Sequence, residues 1–227
     1  AKVSGGFSSF AYGTDARVSG SNNSIASGDF AEVRSSDNAI AFGTSTHVYS
    51  GSTNAVAMGH NATSNGVNAY SSGTDAWANG PNTSASGPNA RAIGFNAVAQ
   101  GTDALAEGRN VIAIGTGAKA LGYNTNVMAM GTDGYAEGTN AMALGTNSYA
   151  VGTNVTAIGP CARACGLDTT AFGTKAIAYG DQALAVGAFS SAYGDYTSAF
   201  GPGATSRAFG STAIGMNAVT TRPFEVS

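Results

Sequence analysis

Small and large side chains alternate along most of this chain, in short runs that glycine interrupts at regular intervals. In the segment GTDALAE (101–107), for example, Ala104 and Ala106 alternate with larger residues. An alternation of period two places successive side chains on opposite faces of an extended strand. The pattern therefore predicts a short β-strand in each run, with small residues on one face and larger ones on the other.

Glycine recurs every seven residues from Gly59 to Gly122, and again from Gly131 to Gly201 after an insertion of two residues. Each heptad reads G-x-N/D-A-x-A-x. Gly, Asn and Asp tolerate a positive φ better than other residues, so the start of each heptad has the chemistry of a sharp turn. We expect two heptads to form one closed coil, with coils of 15–16 residues near the N-terminus and mostly 14 later.

This repetition predicts an all-β chain, folded as a single parallel β-roll (solenoid) with coils of about 14 residues and a narrow interior lined with alanine. A helix is disfavoured, because a glycine in every heptad would cost about 1 kcal/mol each. A coiled coil is disfavoured because its core positions require Leu and Ile. Since one coil buries little apolar surface, stability must come from stacking many coils. We place the roll at 1–219 and interpret 220–227 (TTRPFEVS), where Pro223 breaks the pattern, as an exit segment toward a missing downstream domain.

Composition and charge exclude several classes of protein. The chain of 227 residues has 33 Gly, is 43% hydrophobic and carries a net charge of −3. That hydrophobic content is not typical of disorder, and the glycines do not follow the three-residue period of collagen. The lack of a basic patch argues against a nucleic acid partner. Because no apolar run of about 18 residues occurs, we expect no direct membrane insertion of this segment.

No arrangement of residues is typical of catalysis. His47 and His60 stand apart from any suitable Ser or Cys partner, and we expect both in exposed loops. Asp75 and Asp103 share a turn column with Asp133, but two coils separate them by about 10 Å, too far for one calcium ion. We therefore predict a non-enzymatic protein with no catalytic residues, no metal and no cofactor.

The chain has two cysteines, Cys161 and Cys165. In an extended strand, residues four apart are separated by about 13 Å, too far for a disulfide bond. We interpret them as unpaired cysteines that occupy repeat positions, with a disulfide between chains as the alternative.

The outward-facing residues of one strand in each coil are uncharged and mostly apolar. Such a strip in water is an interaction site or an aggregation liability, and closed rotational symmetry is the usual solution. We predict that self-association covers it, rather than another domain of the chain. The predicted interface consists of Ile112, Ile114, Met142, Leu144, Ile158, Phe172, Leu184, Val186, Phe200 and Ile214. Upstream, Ser72, Ser86 and Gln100 take equivalent places, and we expect wetter packing there.

The other strand of each coil carries charges and large aromatic residues. Aromatic and Arg side chains dominate binding energy at protein surfaces, and a repeating column suits a long partner held at many weak points. Because we expect no pocket, we place ligand binding on this flank. The alternative is that large side chains only shield strand edges and keep the roll soluble. The predicted ligand-binding face consists of Trp77, Arg91, Lys119, Tyr135, Tyr149, Arg163, Tyr179 and Tyr193, spaced at coil intervals.

Several segments resemble the N-S-V-A-I-G repeats of YadA-like heads, which belong to the trimeric autotransporter adhesins of Gram-negative bacteria. These segments are NAIAFG (38–43), NAVAMG (54–59), NVIAIG (110–115), NAMALG (140–145) and NVTAIG (154–159). The resemblance covers about 8–219 and includes repeat length and Ala/Gly content. It implies a left-handed parallel β-roll and a homotrimer of three rolls side by side. It also implies binding to a host matrix protein such as collagen or another surface ligand, and an extracellular position on the bacterial cell surface, tethered through a domain absent from this chain.

Two other functions remain open from the sequence. The same roll is compatible with a receptor-binding or structural fibre segment of a phage or contractile particle. Ice binding is a minor alternative, resting on a single file of threonines at Thr102, Thr116, Thr132 and Thr146. A flat ice-binding face would need two parallel columns, so we favour an adhesin head.

Overall fold

The structure, a computed structural model, describes residues 1–122 and 126–227. The described residues form short β-strands joined by turns and bends, and they include no helix that could cross a membrane. The chain divides into two compact units, residues 1–117 and 118–227. The two-residue insertion predicted before Gly131 falls partly outside the described residues.

The first unit contains sixteen strands in two parallel sheets. Its strands are β1 (Lys2–Ser4), β2 (Phe10–Tyr12), β3 (Arg17–Ser19), β4 (Ile25–Ser27), β5 (Glu32–Arg34), β6 (Ile40–Phe42), β7 (His47–Val48), β8 (Val56–Met58), β9 (Thr63–Asn65), β10 (Tyr70–Ser72), β11 (Trp77–Asn79), β12 (Ser84–Ser86), β13 (Arg91–Phe95), β14 (Val98–Gln100), β15 (Leu105–Arg109) and β16 (Val111–Ile114). Odd-numbered strands form one sheet, the odd-strand sheet, and even-numbered strands form the other, the even-strand sheet.

The second unit repeats this arrangement, with its odd-numbered strands on the odd-strand side and its even-numbered strands on the even-strand side. Its strands are β17 (Lys119–Gly122), β18 (Val127–Met130), β19 (Tyr135–Thr139), β20 (Ala141–Leu144), β21 (Tyr149–Thr153), β22 (Thr156–Ile158), β23 (Arg163–Leu167), β24 (Thr170–Phe172), β25 (Ile177–Ala178), β26 (Leu184–Val186), β27 (Ser191–Ala192), β28 (Ser198–Phe200), β29 (Thr205–Ser206), β30 (Thr212–Ile214) and β31 (Val219–Thr220).

The strand register confirms that two heptads form one coil. Trp77 pairs with Arg91, one coil of 14 residues further along the chain. Near the N-terminus the step is longer, since Lys2 pairs with Arg17 and His47 pairs with Thr63. Each unit is therefore a parallel β-solenoid with coils of about 14 residues, as the sequence predicted, while the handedness of the roll stays a prediction.

The interior of each unit is narrow and is filled mainly by alanine. Ala104 and Ala106, which the alternation placed inward, are 1% and 0% exposed. Buried serine and threonine side chains replace alanine in some coils; the Ser64 hydroxyl, for example, donates to the Val56 carbonyl at 2.7 Å and lies 2.8 Å from the Ser71 hydroxyl. Every buried polar side-chain atom of the described residues has a hydrogen-bond partner. Both sheets therefore pack against a core that tolerates only small side chains.

The turns adopt the left-handed conformation that the G-x-N/D motif predicted. Asn82 and Asp103 have φ values of 55° and 57°. At Gly80 φ is 131°, and a Cβ atom placed there would lie 1.7 Å from the carbonyl oxygen of Gly94 in the next coil. Glycine recurs in this column because stacked coils approach each other too closely for any side chain.

In many coils, an asparagine side chain in the turn that precedes an even-numbered strand bonds to the next coil. The Asn54 amide donates to Asn68 at 3.2 Å, and in the second unit Asn140 donates to Asn154 at 3.1 Å. In the other turn column, Asn89 donates to Asp103 at 3.0 Å. Asn thus serves the turn twice, since it tolerates the left-handed backbone and it bonds to the neighbouring coil.

Residues 220–227, the predicted exit segment, lie against the last coil of the second unit. Thr220 is buried and pairs with Ser206. The Phe224 amide donates to the Phe209 carbonyl at 3.1 Å, and the Ile214 amide donates to the Ser227 carbonyl at 2.7 Å. The division into a roll at 1–219 and an exit segment at 220–227 stays a prediction.

Candidate binding surfaces

The even-strand sheets present an outer face without charge. No Asp, Glu, Lys, Arg or His occurs in any even-numbered strand of the described residues. Ile158 and Phe172 pair across adjacent coils and point outward, and Phe172 is 52% exposed. The face is therefore an apolar surface that the chain itself leaves in contact with solvent.

The structure brings most of the predicted interface residues together. Within the second unit, successive strand pairs align one outward column: Leu144, Ile158, Phe172, Val186, Phe200 and Ile214. Met142 and Leu184 lie in the neighbouring outward column, where Thr156 and Thr170 separate them. Ile112 and Ile114 lie on β16 of the first unit.

Sequence reasoning missed the upstream part of this surface in the first unit. The apolar face resumes beyond Ser72, with these outward residues: Phe10, Tyr12, Ile25, Ile40, Phe42, Val56 and Met58. Phe42 is 58% exposed. The signal was present in the segment NAIAFG (38–43), whose Ile40 and Phe42 alternate with small residues as in later coils. The polar stretch at Ser72, Ser86 and Gln100 is thus an interruption of the apolar surface.

The odd-strand sheets carry the aromatic and charged residues of the predicted ligand-binding face. In the first unit, the Arg91 guanidinium lies over the Trp77 ring, 4.8 Å from its centroid. In the second unit, the Tyr135 and Tyr149 rings stack with centroids 5.1 Å apart. Lys119, which lies one coil before Tyr135, pairs with it. Stacked rings and a cation over a ring both stabilise such a ladder.

Hydrogen bonding within the ladder holds Tyr135 in its protonated form. Tyr135 donates a hydrogen bond to the Glu137 carboxylate, which, together with partial burial, raises the pKa of Tyr135 to about 12. The Tyr179 hydroxyl beside Arg163 raises the pKa of that guanidinium. Tyr135 therefore presents a neutral hydroxyl, and Arg163 presents a permanent positive charge.

The residues of the predicted ligand-binding face occupy two columns instead of one. Arg163 pairs with Ile177, the first residue of β25, so Tyr179 lies just beyond the end of that strand and outside the column of Arg163. Tyr179 and Tyr193 contact each other with centroids 6.1 Å apart. These two tyrosines share the face with Tyr149 but do not continue its column at the next coil interval.

Neither cysteine forms a disulfide bond within the chain. Cys161 occupies the turn position where other coils have Asn or Asp, with a φ of 57°. Cys165 is half-buried on β23, and burial raises the pKa of its thiol, which makes it a weak nucleophile. The alternative of a disulfide between chains stays a prediction.

Charged side chains of the odd-strand sheet cluster at the N-terminal end of the first unit. Arg34 lies 2.6 Å from the Glu32 carboxylate and holds its pKa below the usual value. His47 lies on β7, 3.9 Å from Glu32, so it is a strand residue and not the loop residue that we expected. His60 lies in an exposed bend, in line with the expectation. The described residues hold no group of three or more His, Cys, Asp or Glu that could bind a metal.

Comparison with known families agrees with this architecture. The model of the YadA head domain repeat (2 copies) matches residues 50–69, 64–90, 92–118, 136–160, 166–190 and 192–218, which together make up more than half of the chain. No curated protein matches the chain significantly. With its parallel coils of about 14 residues and its glycine turns, the chain belongs to the YadA head family, a family of bacterial surface adhesin heads.

Proposed function

We propose that this chain is the head of a trimeric bacterial surface adhesin, in which the even-strand sheets of three chains face one another and the odd-strand sheets face the ligand. The head is held at the cell surface through a domain outside this chain and attaches the cell to a matrix protein such as collagen. The observation that supports this proposal is the segregation of charge between the two kinds of sheet.

The apolar column of the second unit supports the trimer. Leu144, Ile158 and Phe172 succeed one another on adjacent strands, which lie about 4.8 Å apart. Their side chains therefore form an unbroken apolar ridge. Exposed apolar side chains on a face whose described even-numbered strands hold no charged residue are typical of an interface. Threefold closed symmetry would cover the ridge of every chain with an equivalent surface.

The ladder of the odd-strand sheets supports ligand binding. Trp77, Tyr149 and Arg163 are residue types that contribute strongly to protein interfaces. Their repetition along each sheet would let an elongated partner make several weak contacts at once, and avidity would then provide the affinity.

Light scattering on the purified chain at micromolar concentration tests the assembly. The expected mass is three times the 22.3 kDa of one chain. A stable monomer at that concentration contradicts the proposal. Binding of the same sample to immobilised collagen and to other matrix proteins then tests attachment. A trimer that binds none of them would support the proposed assembly and contradict the proposed matrix ligand.

A further inference from the structure

One coil of the odd-strand sheet in the first unit carries small polar side chains between two coils that carry aromatic ones. Thr63 and Asn65 lie on β9, and Thr63 pairs with Trp77 on the following coil. Tyr49 lies on the preceding coil, where its amide donates to the Ser64 carbonyl at 3.1 Å. Because the middle coil has short side chains, a cleft of about 360 Å³ opens, lined by Tyr49, Thr63, Asn65 and Trp77. We expected no pocket on this flank, so the cleft is a finding of the structure.

The aromatic side chains of the cleft are braced from outside it. The Arg91 guanidinium, on the coil after Trp77, covers one face of the indole ring at 4.8 Å. The opposite face of that ring is therefore turned toward the coil of Thr63. Tyr49 is 41% exposed, and His47 stacks against it with centroids 6.1 Å apart. Both rings are held in place while the side toward the cleft stays open.

The base of the cleft is polar and neutral. Asn65 donates one amide hydrogen to the Asn79 side chain at 3.0 Å. A primary amide has further capacity, because it carries two N–H donors and a carbonyl acceptor. Within the described residues, the Asn65 amide has no side-chain partner besides Asn79, and the Thr63 hydroxyl has no side-chain partner. With no charge among the four lining residues, the cleft suits a neutral ligand that can both donate and accept hydrogen bonds.

The strand register sets the two rings of the cleft diagonally. Thr63 pairs with Trp77 on one side and with His47 on the other, so Tyr49 lies in the neighbouring column, two coils from Trp77. The open face of the indole ring is therefore the main apolar wall. Because the face of an aromatic ring carries partial negative charge, it favours the C–H groups of a puckered saturated ring. The cleft volume is also within the range of small-molecule sites.

We infer that this cleft binds a neutral hexopyranose unit of a glycan, with the C–H face of the sugar on Trp77 and its hydroxyl groups on Asn65 and Thr63. A proline ring of a peptide is also puckered and saturated, but it offers only a carbonyl acceptor to this base. In the described odd-strand sheets, a small polar coil between two aromatic coils occurs once. A single cleft suits one sugar unit better than a long repetitive polypeptide.

This inference deepens the proposed function, because it assigns a ligand class to one part of the ligand-binding face. Its test uses soluble sugars and the fluorescence of Trp77, the single tryptophan of the chain. Neither a missing trimer nor a failure to bind collagen would change this titration, so the two proposals fail separately.

The experiment is a titration of the full chain with maltose, lactose and cellobiose, followed by tryptophan emission. We expect a saturable change with at least one of them at millimolar concentration, as is usual for small neutral ligands. Thr63→Tyr fills the cleft with an additional aromatic side chain, and Tyr49→Ala removes one wall. We expect either change to weaken binding by about tenfold or more. Thr205→Tyr, the same substitution at a half-buried outward position on β29, should leave binding unchanged.

Three results would overturn the inference. The first is an emission that none of these sugars changes up to its solubility limit. The second is unaltered sugar binding in Thr63→Tyr and Tyr49→Ala; if one variant fails to fold by circular dichroism, the other decides. The third is a response to a (Pro-Pro-Gly) repeat peptide alone that Thr63→Tyr abolishes, because the occupant would then be a peptide.

Discussion

The even-strand and odd-strand sheets share one interior and differ outside it. Ala143 on β20 and Ala150 on β21 are both fully buried and face the same narrow core. Outside, β20 presents Met142 and Leu144, whereas β21 presents Tyr149 between a second tyrosine and an arginine on adjacent coils. Folding demands small inward residues of both sheets alike and places no comparable demand on the outward ones. The contrast between the two outer faces is therefore the observation on which the proposed assembly and the proposed ligand-binding face both rest.

The largest effect is expected from introducing a charge into the even-strand face. Ile158→Asp or Phe172→Asp should dissociate the trimer, because a buried unpaired charge costs several kcal/mol. Light scattering at micromolar concentration would show the mass of a single chain. Tyr149→Asp, on the odd-strand face, is the matched control and should remain a trimer. Equal effects at the two faces would mean that the faces have been assigned the wrong way round.

A change in the shared turn should affect both faces. A Cβ atom at Gly145, where φ is 139°, would lie 2.5 Å from the carbonyl oxygen of Gly159. Gly145→Ala should therefore lower the free energy of unfolding by about 3 kcal/mol, as measured by urea denaturation. At Gly51, where φ is 80° and an added Cβ meets nothing within 4 Å, Gly→Ala should cost only about 1 kcal/mol. Similar losses at the two glycines would contradict close stacking as the cause.

The odd-strand face should be dispensable for assembly and required for attachment. Replacing Tyr135, Tyr149 and Arg163 together with Ser removes a stacked pair and a cation from the ladder. We expect binding to a matrix protein in a solid-phase assay to weaken by about tenfold or more, with trimer mass and circular dichroism unchanged. Undiminished binding by a folded trimer would exclude this face as the attachment surface.

The smallest expected effect is the loss of folding stability at low pH from the Arg34–Glu32 ion pair. Arg34 lowers the folded-state pKa of Glu32, so the pair stabilises the fold above the unfolded pKa of Glu, about 4.3, and that contribution is lost as pH falls through the folded pKa. Because Arg34 is half exposed, we expect less than about 1 kcal/mol. The contribution of this pair is the difference in stability between the wild-type chain and Glu32→Gln. Thermal unfolding of both proteins at neutral pH and at pH below about 4 measures how that difference changes. A difference that grows toward low pH would have the wrong sign.

The features that could be predicted from the sequence are local ones. Ala104 and Ala106 are buried because alternation along a strand depends only on neighbours in the chain. The turn at Asp103 follows in the same way from the conformational preference of its residue type. His47 was expected in a loop because coils of 15–16 residues obscure the heptad period there, whereas its pairing with Thr63 places it in a strand.

Features that join different coils were harder to predict. The second column of Tyr179 and Tyr193 depends on whether a residue lies fourteen or sixteen positions beyond Arg163, and only the strand register shows this. The cleft between Tyr49 and Trp77 spans two coils of unequal length. Neither aromatic residue is near the other in the chain, and neither predicts a cleft on its own.

By itself, the sequence determined the period, the small interior, the turn chemistry and the presence of one uncharged outer face. These properties recur in most of the described coils, because each depends on residues that are close together in the chain. Only the tertiary structure decided which outward side chains become neighbours, such as Arg91 over Trp77 and Thr63 beneath the open face of that ring. The physical reason is that stacking brings together residues a full coil apart, and one or two additional residues in a coil change which residues those are.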